Sequence, residues 1–326
     1  MSTSDVLFLE RKILAAIENA VHILLVTHQK PDGDALGSVL ALSHFLESKG
    51  KRHKIFCRTP YGNQFDFLSG IDRVTADPVL FSEKRFDLII VCDSSDLKYA
   101  GVEDHLAALP YPMPTLVNMD HHATNTRFGD WVLVDSTASS TTQVLYQFFQ
   151  DLSIPVTKEM STCLLTGIVT DTGGFTNPAT TFGSLESSAS LLLKGAHYNR
   201  ITTNLVKNKT IPTLRFWGKV MERLEFNPRL GSALTVIKKE DFSDKELDSE
   251  AADGIINFLN NLSGVRFVML LRELYGGKVK VSFRTTDPSM DVSGIAEYFG
   301  GGGHAKASGF SIEGRLVRTK EGWLVV

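Results

Sequence analysis

Four stretches of this 326-residue chain gather aspartate and histidine in patterns that could hold cations. They are His28-x-x-x-Asp32-x-Asp34, then Asp93, then Asp120-His121-His122, and finally Asp171 within Thr170-Asp171-Thr172-Gly173-Gly174. Carboxylates that share one cleft repel one another and are driven towards protonation unless a cation neutralises them. Two divalent metals would do so. They would also acidify a bridging water and clamp the attacking oxygen in line with the leaving group. Donors that mix imidazole and carboxylate suit Mn2+ first. Co2+, Zn2+, Fe2+ and Mg2+ are substitutes, although Mg2+ prefers an all-oxygen shell.

A second pattern lies near the end of the chain, Gly300-Gly301-Gly302-Gly303-His304-Ala305-Lys306. Consecutive glycines let backbone N–H groups ring an anion, and His304 and Lys306 could add donors. Upstream, Arg284 ends an apolar run and has the planar fork that grips phosphate with two parallel hydrogen bonds. Taken singly, these features have ordinary explanations. Pro31-Asp32-Gly33 is turn chemistry, Asp34 could cap a helix, four glycines could be a flexible turn, and Arg284 could face solvent. Adjacent histidines after Asp120 have no such use in a solvated turn, and the joint occurrence of all four acidic clusters is harder to dismiss.

The elements expected around these residues fit a shared site. Residues 5–19 place Ile13, Leu14 and Ile17 on one helical stripe. Residues 21–26 form a nearly continuous apolar run, as in a strand covered on both faces. A loop over 27–34 leads into a helix to Ser48, stopped by Gly50. Further strands are expected near 53–57, 87–92, 115–117 and 131–134, with helices near 139–150 and 158–170. This alternation predicts an α/β domain with a largely parallel sheet flanked by helices. Three of the four clusters then fall at carboxyl ends of strands, where open α/β sheets form their ligand crevice.

Helices near 183–195 and 199–224 follow, and then the character changes. Strands near 233–237, 265–271 and 278–283, with helices near 250–262 and 291–298, predict a smaller α+β domain with a mixed sheet. The expected division is a catalytic domain over 1–185, a helical hinge over 186–215 and a substrate-binding domain over 216–326, with the active site in the cleft between domains.

Composition narrows the class. Hydrophobic residues make up 43% and charged residues 22%, ordinary globular values. Cys57, Cys92 and Cys163 are scattered, which argues against a zinc ribbon or a disulfide framework and fits a reducing compartment. The first residues show no basic segment before an apolar core, and no apolar run is long enough to span a membrane, so a cytoplasmic location is expected. Net charge is -3, and cations and anions balance from residue 216 onward. A long duplex wants a basic footprint, whereas a small anionic ligand needs only a few placed cations. The balance therefore favours a short anionic ligand over a long duplex. No membrane and no obligate protein partner is expected, and a homodimer is compatible with the sequence.

Taken together, these motifs resemble the DHH phosphoesterase superfamily, whose name is spelled by Asp120-His121-His122. The likeness spans nearly the whole chain, and in length and domain plan it is similar to the branch of bifunctional oligoribonucleases and pAp phosphatases. It implies one metal on His28, Asp32 and Asp93, and another on Asp34, Asp93, His121 and Asp171, with Asp93 bridging. It further implies that Asp120 orients a histidine, that His122 faces the scissile phosphate, and that a metal-bridged hydroxide attacks phosphorus. Arg284, His304, Lys306 and the amides of Gly301, Gly302 and Gly303 would hold the rest of the nucleotide. Short RNA and 3′-phosphoadenosine 5′-phosphate (pAp) are the implied substrates. Cyclic or linear dinucleotides such as pGpG are the alternative, with single-stranded DNA or inorganic pyrophosphate behind them. One departure stands out: after Asp93-Ser94-Ser95-Asp96 the chain reads Leu97-Lys98-Tyr99, where many members carry an arginine, which puts a secondary substrate contact in doubt.

Overall fold

The apolar run after helix α1 (Thr3–Asn19) forms strand β1 (His22–Thr27), and from Ile23 to Thr27 it is wholly buried. The structure, a computed structural model, describes residues 3–83, 86–109, 112–206, 210–242, 249–320 and 322–326. It falls into two compact units, Met1–Asn208 and Lys209–Val326.

In the first unit β1 leads through α2 (Gly33–Ser48) to β2 (Arg52–Cys57) and β3 (Val74–Thr75). Next come α3 (Leu80–Glu83), β4 (Leu88–Cys92), α4 (Glu103–Ala107), β5 (Thr115–Asp120) and β6 (Trp131–Val134), followed by α5 (Thr141–Asp151), α6 (Lys158–Asp171), α7 (Phe182–Leu193) and α8 (Tyr198–Ile201). The six strands form one parallel sheet in the order β3-β2-β1-β4-β5-β6. Both faces are covered. Ile23 and Leu25 pack with Leu36, Leu40, Phe148 and Leu164 of the flanking helices, while Leu24 and Val26 pack with Phe86, Val102 and Leu106. This is why β1 and β4 read as unbroken apolar runs.

The strand order creates the crevice. From β1 the chain winds outward through β2 and β3, then returns to β4 on the other side of β1 and winds outward through β5 and β6. Loops leaving β1 and β4 therefore part in opposite directions and open a gap at their carboxyl ends. Thr27 pairs in register with Cys92, so the next residues, His28 and Asp93, emerge side by side. Helices α2 and α6 pack against each other at small residues: a Cβ on Gly33 would collide with Thr170, and one on Gly37 with the Cys163 carbonyl.

The long helix expected over 199–224 is interrupted. α8 gives way to a π-turn at Thr202–Val206, and α9 (Ile211–Met221) starts afresh with Thr210 as its cap and a proline in its first turn. Proline has no N–H to give, so it begins a helix well and continues one badly.

The second unit contains α9, β7 (Glu225–Asn227), β8 (Ser232–Ile237), α10 (Ser249–Leu259), β9 (Phe267–Leu274), β10 (Lys278–Arg284), α11 (Ser293–Tyr298), β11 (Gly302–His304) and β12 (Ala307–Glu313). Its sheet runs β11-β12-β10-β9-β8-β7, with β8 and β9 parallel and the other pairs antiparallel, the mixed sheet expected. β13 (Leu316–Thr319) and β14 (Gly322–Val325) make a separate hairpin. Among the described residues no helix is long and apolar enough to cross a membrane.

Candidate metal centre

All six residues expected to bind metal lie in the first unit, and the fold brings them together. Three triads have ligand atoms within 4.8 Å of one another: His28, Asp32 and Asp93; Asp34, His121 and Asp171; and Asp93, His121 and His122. Asp93 and His121 each belong to two of these groups, so the triads are one connected cluster. His28 Nε2 lies 3.4 Å from Asp93 Oδ2 and 3.9 Å from Asp32 Oδ1. On the other side His121 Nε2 lies 3.3 Å from Asp171 Oδ2 and 3.8 Å from Asp93 Oδ1. The donors are imidazole nitrogen and carboxylate oxygen only, the set that suits a borderline divalent cation.

Local structure aims each group. Asp32 is the N-cap of α2, its Oδ1 accepting from the amides of Asp34 and Ala35 at 3.0 Å. The capping role weighed for Asp34 thus falls to Asp32, and Asp34 sits inside the first turn, fully buried. Asp93 adopts a left-handed backbone, φ 56°, which aspartate tolerates better than most residues. His28 Nδ1 lies 2.8 Å from the Gln29 carbonyl, which fixes the proton there and leaves Nε2 to the cluster. His122 is set differently: Asp120 Oδ1 is 2.7 Å from its Nδ1, so its chemistry runs through Nε2. Asp120, wholly buried, orients His122 and also accepts from the His121 amide at 2.8 Å and from Asn125 Nδ2 at 2.6 Å.

The electrostatics are those of an uncompensated anionic cluster. Burial, reinforced by the other carboxylates, pushes Asp34 and Asp171 well above the usual carboxylate range. Burial also acts against charge on the histidines, but it is outweighed. The Asp93 and Asp32 carboxylates raise His28 to about 9, and Asp120 with Asp93 raises His122 to about 9. Asp93 itself is buried yet held below the usual range by His28, His121 and His122. Protons on these imidazoles are where the cluster finds positive charge; a divalent cation would take their place.

Several contributors were not legible in the sequence. The first amides of α5 serve the cluster: Asp34 Oδ2 accepts from Thr141 N at 2.6 Å, and Oδ1 accepts from Thr142 N at 2.9 Å and Thr142 Oγ1 at 2.7 Å. Thr141 Oγ1 donates to Asp93 Oδ1 at 3.0 Å. A carboxylate has about four lone-pair sites, so these bonds leave room for a metal. The run Ser139-Ser140-Thr141-Thr142 signals a helix start, with Ser140 as the cap, but its partners lie far away in sequence.

The pattern expected to bind anions in the second unit is used otherwise in part. Gly300 N donates to the Glu297 carbonyl and Gly301 N to the Ala296 carbonyl, closing α11, with Gly300 at φ 75°. Gly302 and Gly303 belong to β11, paired with Gly309 and Ser308 of β12. A Cβ on Gly301 would strike the Gly309 carbonyl, so this glycine is needed for close strand packing. Lys306 departs from expectation most clearly. Its ammonium donates to the carbonyls of Asp287, Pro288 and Met290 at 2.7, 3.0 and 2.7 Å, which uses all three donors and leaves none for a phosphate. Arg284 closes β10, its Nε donating to Asn257 Oδ1 at 3.1 Å and Nη1 to the Phe283 carbonyl at 2.9 Å. His304 ends β11, and its side chain lies outside the described residues.

Comparison with known proteins agrees with this geometry. Residues 22–168 match the model of the DHH family, N-terminal domain, and residues 232–321 match the DHHA1 domain. A Thermus thermophilus protein named bifunctional oligoribonuclease and PAP phosphatase NrnA is 31% identical over 304 residues, which are 93% of this chain and 87% of that one. Its Bacillus subtilis namesake is 27% identical over 295 residues, 89% of each chain. The crystal structure of an exopolyphosphatase-related protein from Bacteroides fragilis superposes with a TM-score of 0.85 at 27% identity, over 93% of this chain and 90% of that one.

Proposed function

Because the chain belongs to the DHH family, we propose that it is a di-metal phosphoesterase that hydrolyses short oligoribonucleotides and converts pAp to AMP. The observation that carries this reading is the cluster itself: three ligand triads joined through Asp93 and His121 at the carboxyl ends of adjacent parallel strands. The substrate class is taken from the relatives named as oligoribonuclease and PAP phosphatase.

In this scheme His28, Asp32 and Asp93 hold one ion, and Asp34, Asp93, His121 and Asp171 hold the other, with Mn2+ as the first candidate. When bound, the ions would supply an acidified water and neutralise charge on the phosphoryl group. The hydrogen bond from Thr141 fixes the orientation of the Asp93 carboxylate, with Oδ2 facing His28 and Oδ1 facing His121. Asp34 and Asp171 contribute negative charge that burial alone would not tolerate. His122, its Nδ1 engaged by Asp120, offers Nε2 as a donor to the oxygens of the ester.

In this scheme the first unit performs the chemistry and the second holds the nucleotide, while α7 and α8, which overlap the hinge expected over 186–215, pack into the first unit through Leu191 and Ile201. Arg284, Gly302, Gly303 and His304 remain the candidates in the second unit, without Lys306. The glycine-histidine motif at 300–304, within the matched DHHA1 domain, counts against inorganic pyrophosphate as the substrate. A linear dinucleotide such as pGpG falls within the same substrate class.

Purified protein with Mn2+ tests the reading when offered pAp, RNAs of increasing length, single-stranded DNA and pyrophosphate, with products sized. Turnover of pAp and the shortest RNAs is expected, and Asp93→Ala should abolish it while the protein stays folded. Near wild-type turnover by Asp93→Ala would refute the metal assignment. Cleavage of pyrophosphate alone would refute the substrate class.

A further inference from the structure

Tyr99 has no part in the scheme above, yet its position is tightly built. Its ring stacks on the His28 imidazole, with centroids 4.9 Å apart and planes 21° from parallel. The backbone beneath it is fixed on both sides. Gln29 N donates to the Tyr99 carbonyl at 3.1 Å, the Gln29 side-chain amide donates to the Lys98 carbonyl at 3.0 Å, and Tyr99 N donates to Asp96 Oδ1 at 2.6 Å. The loop after β4 is thus stitched to the loop after β1 beside His28, which fixes the backbone from which the ring reaches the imidazole.

Despite this anchoring the residue is 45% exposed. Its hydroxyl bonds to no protein group among the described residues, although the carboxylates of Asp32, Asp93 and Asp120 lie close enough to act on it. A phenol that only shielded His28 would have no use for the oxygen. Here a neutral O–H donor is held at the edge of a cluster that, once loaded with cations, draws in anionic oxygen.

We propose that Tyr99 is a specificity-determining substrate contact: its hydroxyl donates to a non-bridging oxygen of the phosphate ester while its ring holds the His28 imidazole in place. This rests on the phosphoesterase reading. A neutral donor gives an oxygen one hydrogen bond without adding charge. It therefore favours a dianionic terminal phosphate over a monoanionic diester less than a cation would, since charge-assisted bonds are the stronger ones. Tyr99 would tune the site towards internal diesters relative to pAp.

Three variants separate ring from hydroxyl. Mn2+ affinity is read by electron paramagnetic resonance, without turnover, and kcat and KM are measured on pAp and on a diribonucleotide. Tyr99→Phe should bind Mn2+ as wild type does while KM rises about fivefold to tenfold, the size of one lost hydrogen bond. Tyr99→Leu should weaken Mn2+ binding as well, because the stack on His28 is gone. Tyr99→Arg should raise kcat/KM for pAp relative to the diribonucleotide. The proposal is overturned if Tyr99→Phe keeps the wild-type KM on both substrates, or if Tyr99→Arg leaves their ratio unchanged. If the wild-type protein turns over neither substrate, the functional reading fails. Calorimetric binding of the same two ligands to Mn2+-loaded wild type and Tyr99→Phe then decides: weaker binding by the variant supports the contact, and equal binding overturns it.

Discussion

The Asp34 carboxylate occupies the space that a side chain on Gly167 would need: a Cβ built there would collide with Asp34 Oδ1 and with Thr142 Oγ1. Asp34 is fully buried and bonded to the first amides of α5, so it has nowhere to retreat. The bare surface of α6 at Gly167 lets α2 and α5 bring Asp34 in. One turn further along α6, Asp171 completes the triad with His121.

Gly167→Ala should therefore damage the site as well as the packing. Overfilling a close-packed interior costs about 1–3 kcal/mol, and the displaced group here is a metal ligand. The expected outcome is a lower Tm for the metal-free variant together with weaker Mn2+ binding, read by calorimetry and metal titration. A variant with lowered Tm but wild-type Mn2+ affinity would mean that Thr142, and not Asp34, gives way to the new methyl.

Asp171→Asn tests the cost of the anionic cluster. Burial first, and then Asp34, Asp32 and Asp93, raise the Asp171 pKa well above its ordinary value of 3.8. The native state thus holds this proton more tightly than the unfolded chain. Stability from the group is present below the unfolded pKa and declines as pH rises towards the native one. Asparagine imitates the protonated form at every pH. The metal-free variant should lose less stability than wild type between pH 4 and neutrality, and it should gain less Tm on addition of Mn2+. Equal pH slopes in denaturant unfolding would count against a raised Asp171 pKa.

The histidines predict a trend at higher pH. His28 and His122 are raised from 6.5 to about 9 by their carboxylate partners. Their contribution is complete below the unfolded value of 6.5 and disappears as pH climbs through about 9. Metal-free protein should therefore lose stability over that interval. Metal should reverse the trend, because an ion on His28 displaces the proton and bound metal stabilises the native state by mass action. Mn2+ affinity should rise with pH while metal-free Tm falls. A metal-free Tm that is flat from neutrality to pH 9 would sink this account.

The fold of the first unit and the identity of its cluster are largely legible in the sequence, for a physical reason. Parallel strands covered on both faces need unbroken apolar runs, and in β1 and β4 those runs stop just before His28 and Asp93. What surrounds the ligands is less legible. Thr141 and Thr142 bond a carboxylate more than a hundred residues away, so no local pattern connects them. Gly167 is a helix glycine whose purpose depends on a side chain from another helix. The run Gly300-Gly301 is ambiguous in principle, because an anion nest and a helix stop both use successive amides. Only the position of the Ala296 and Glu297 carbonyls decides for the stop. β11, β13 and β14 are only three or four residues long, and β12 is broken by Gly309, so little in the sequence marks them.

Thr141 offers a test of whether hydrogen bonding behind the ligands sets metal affinity. Its hydroxyl is buried and donates to Asp93 Oδ1 at 3.0 Å, and Asp93 is shared by two triads. Thr141→Val keeps the shape and removes the donor, leaving a buried carboxylate oxygen with one partner fewer. Loss of such an outer contact typically weakens metal affinity about 10–100-fold. Thr141→Ser restores the hydroxyl and should recover most of that affinity, whereas a merely packing role would make serine, with its missing methyl, the worse of the two. Mn2+ titration of both variants distinguishes these outcomes. Wild-type affinity in Thr141→Val would mean that α5 positions Asp34 through its amides while Asp93 is held by the histidines alone.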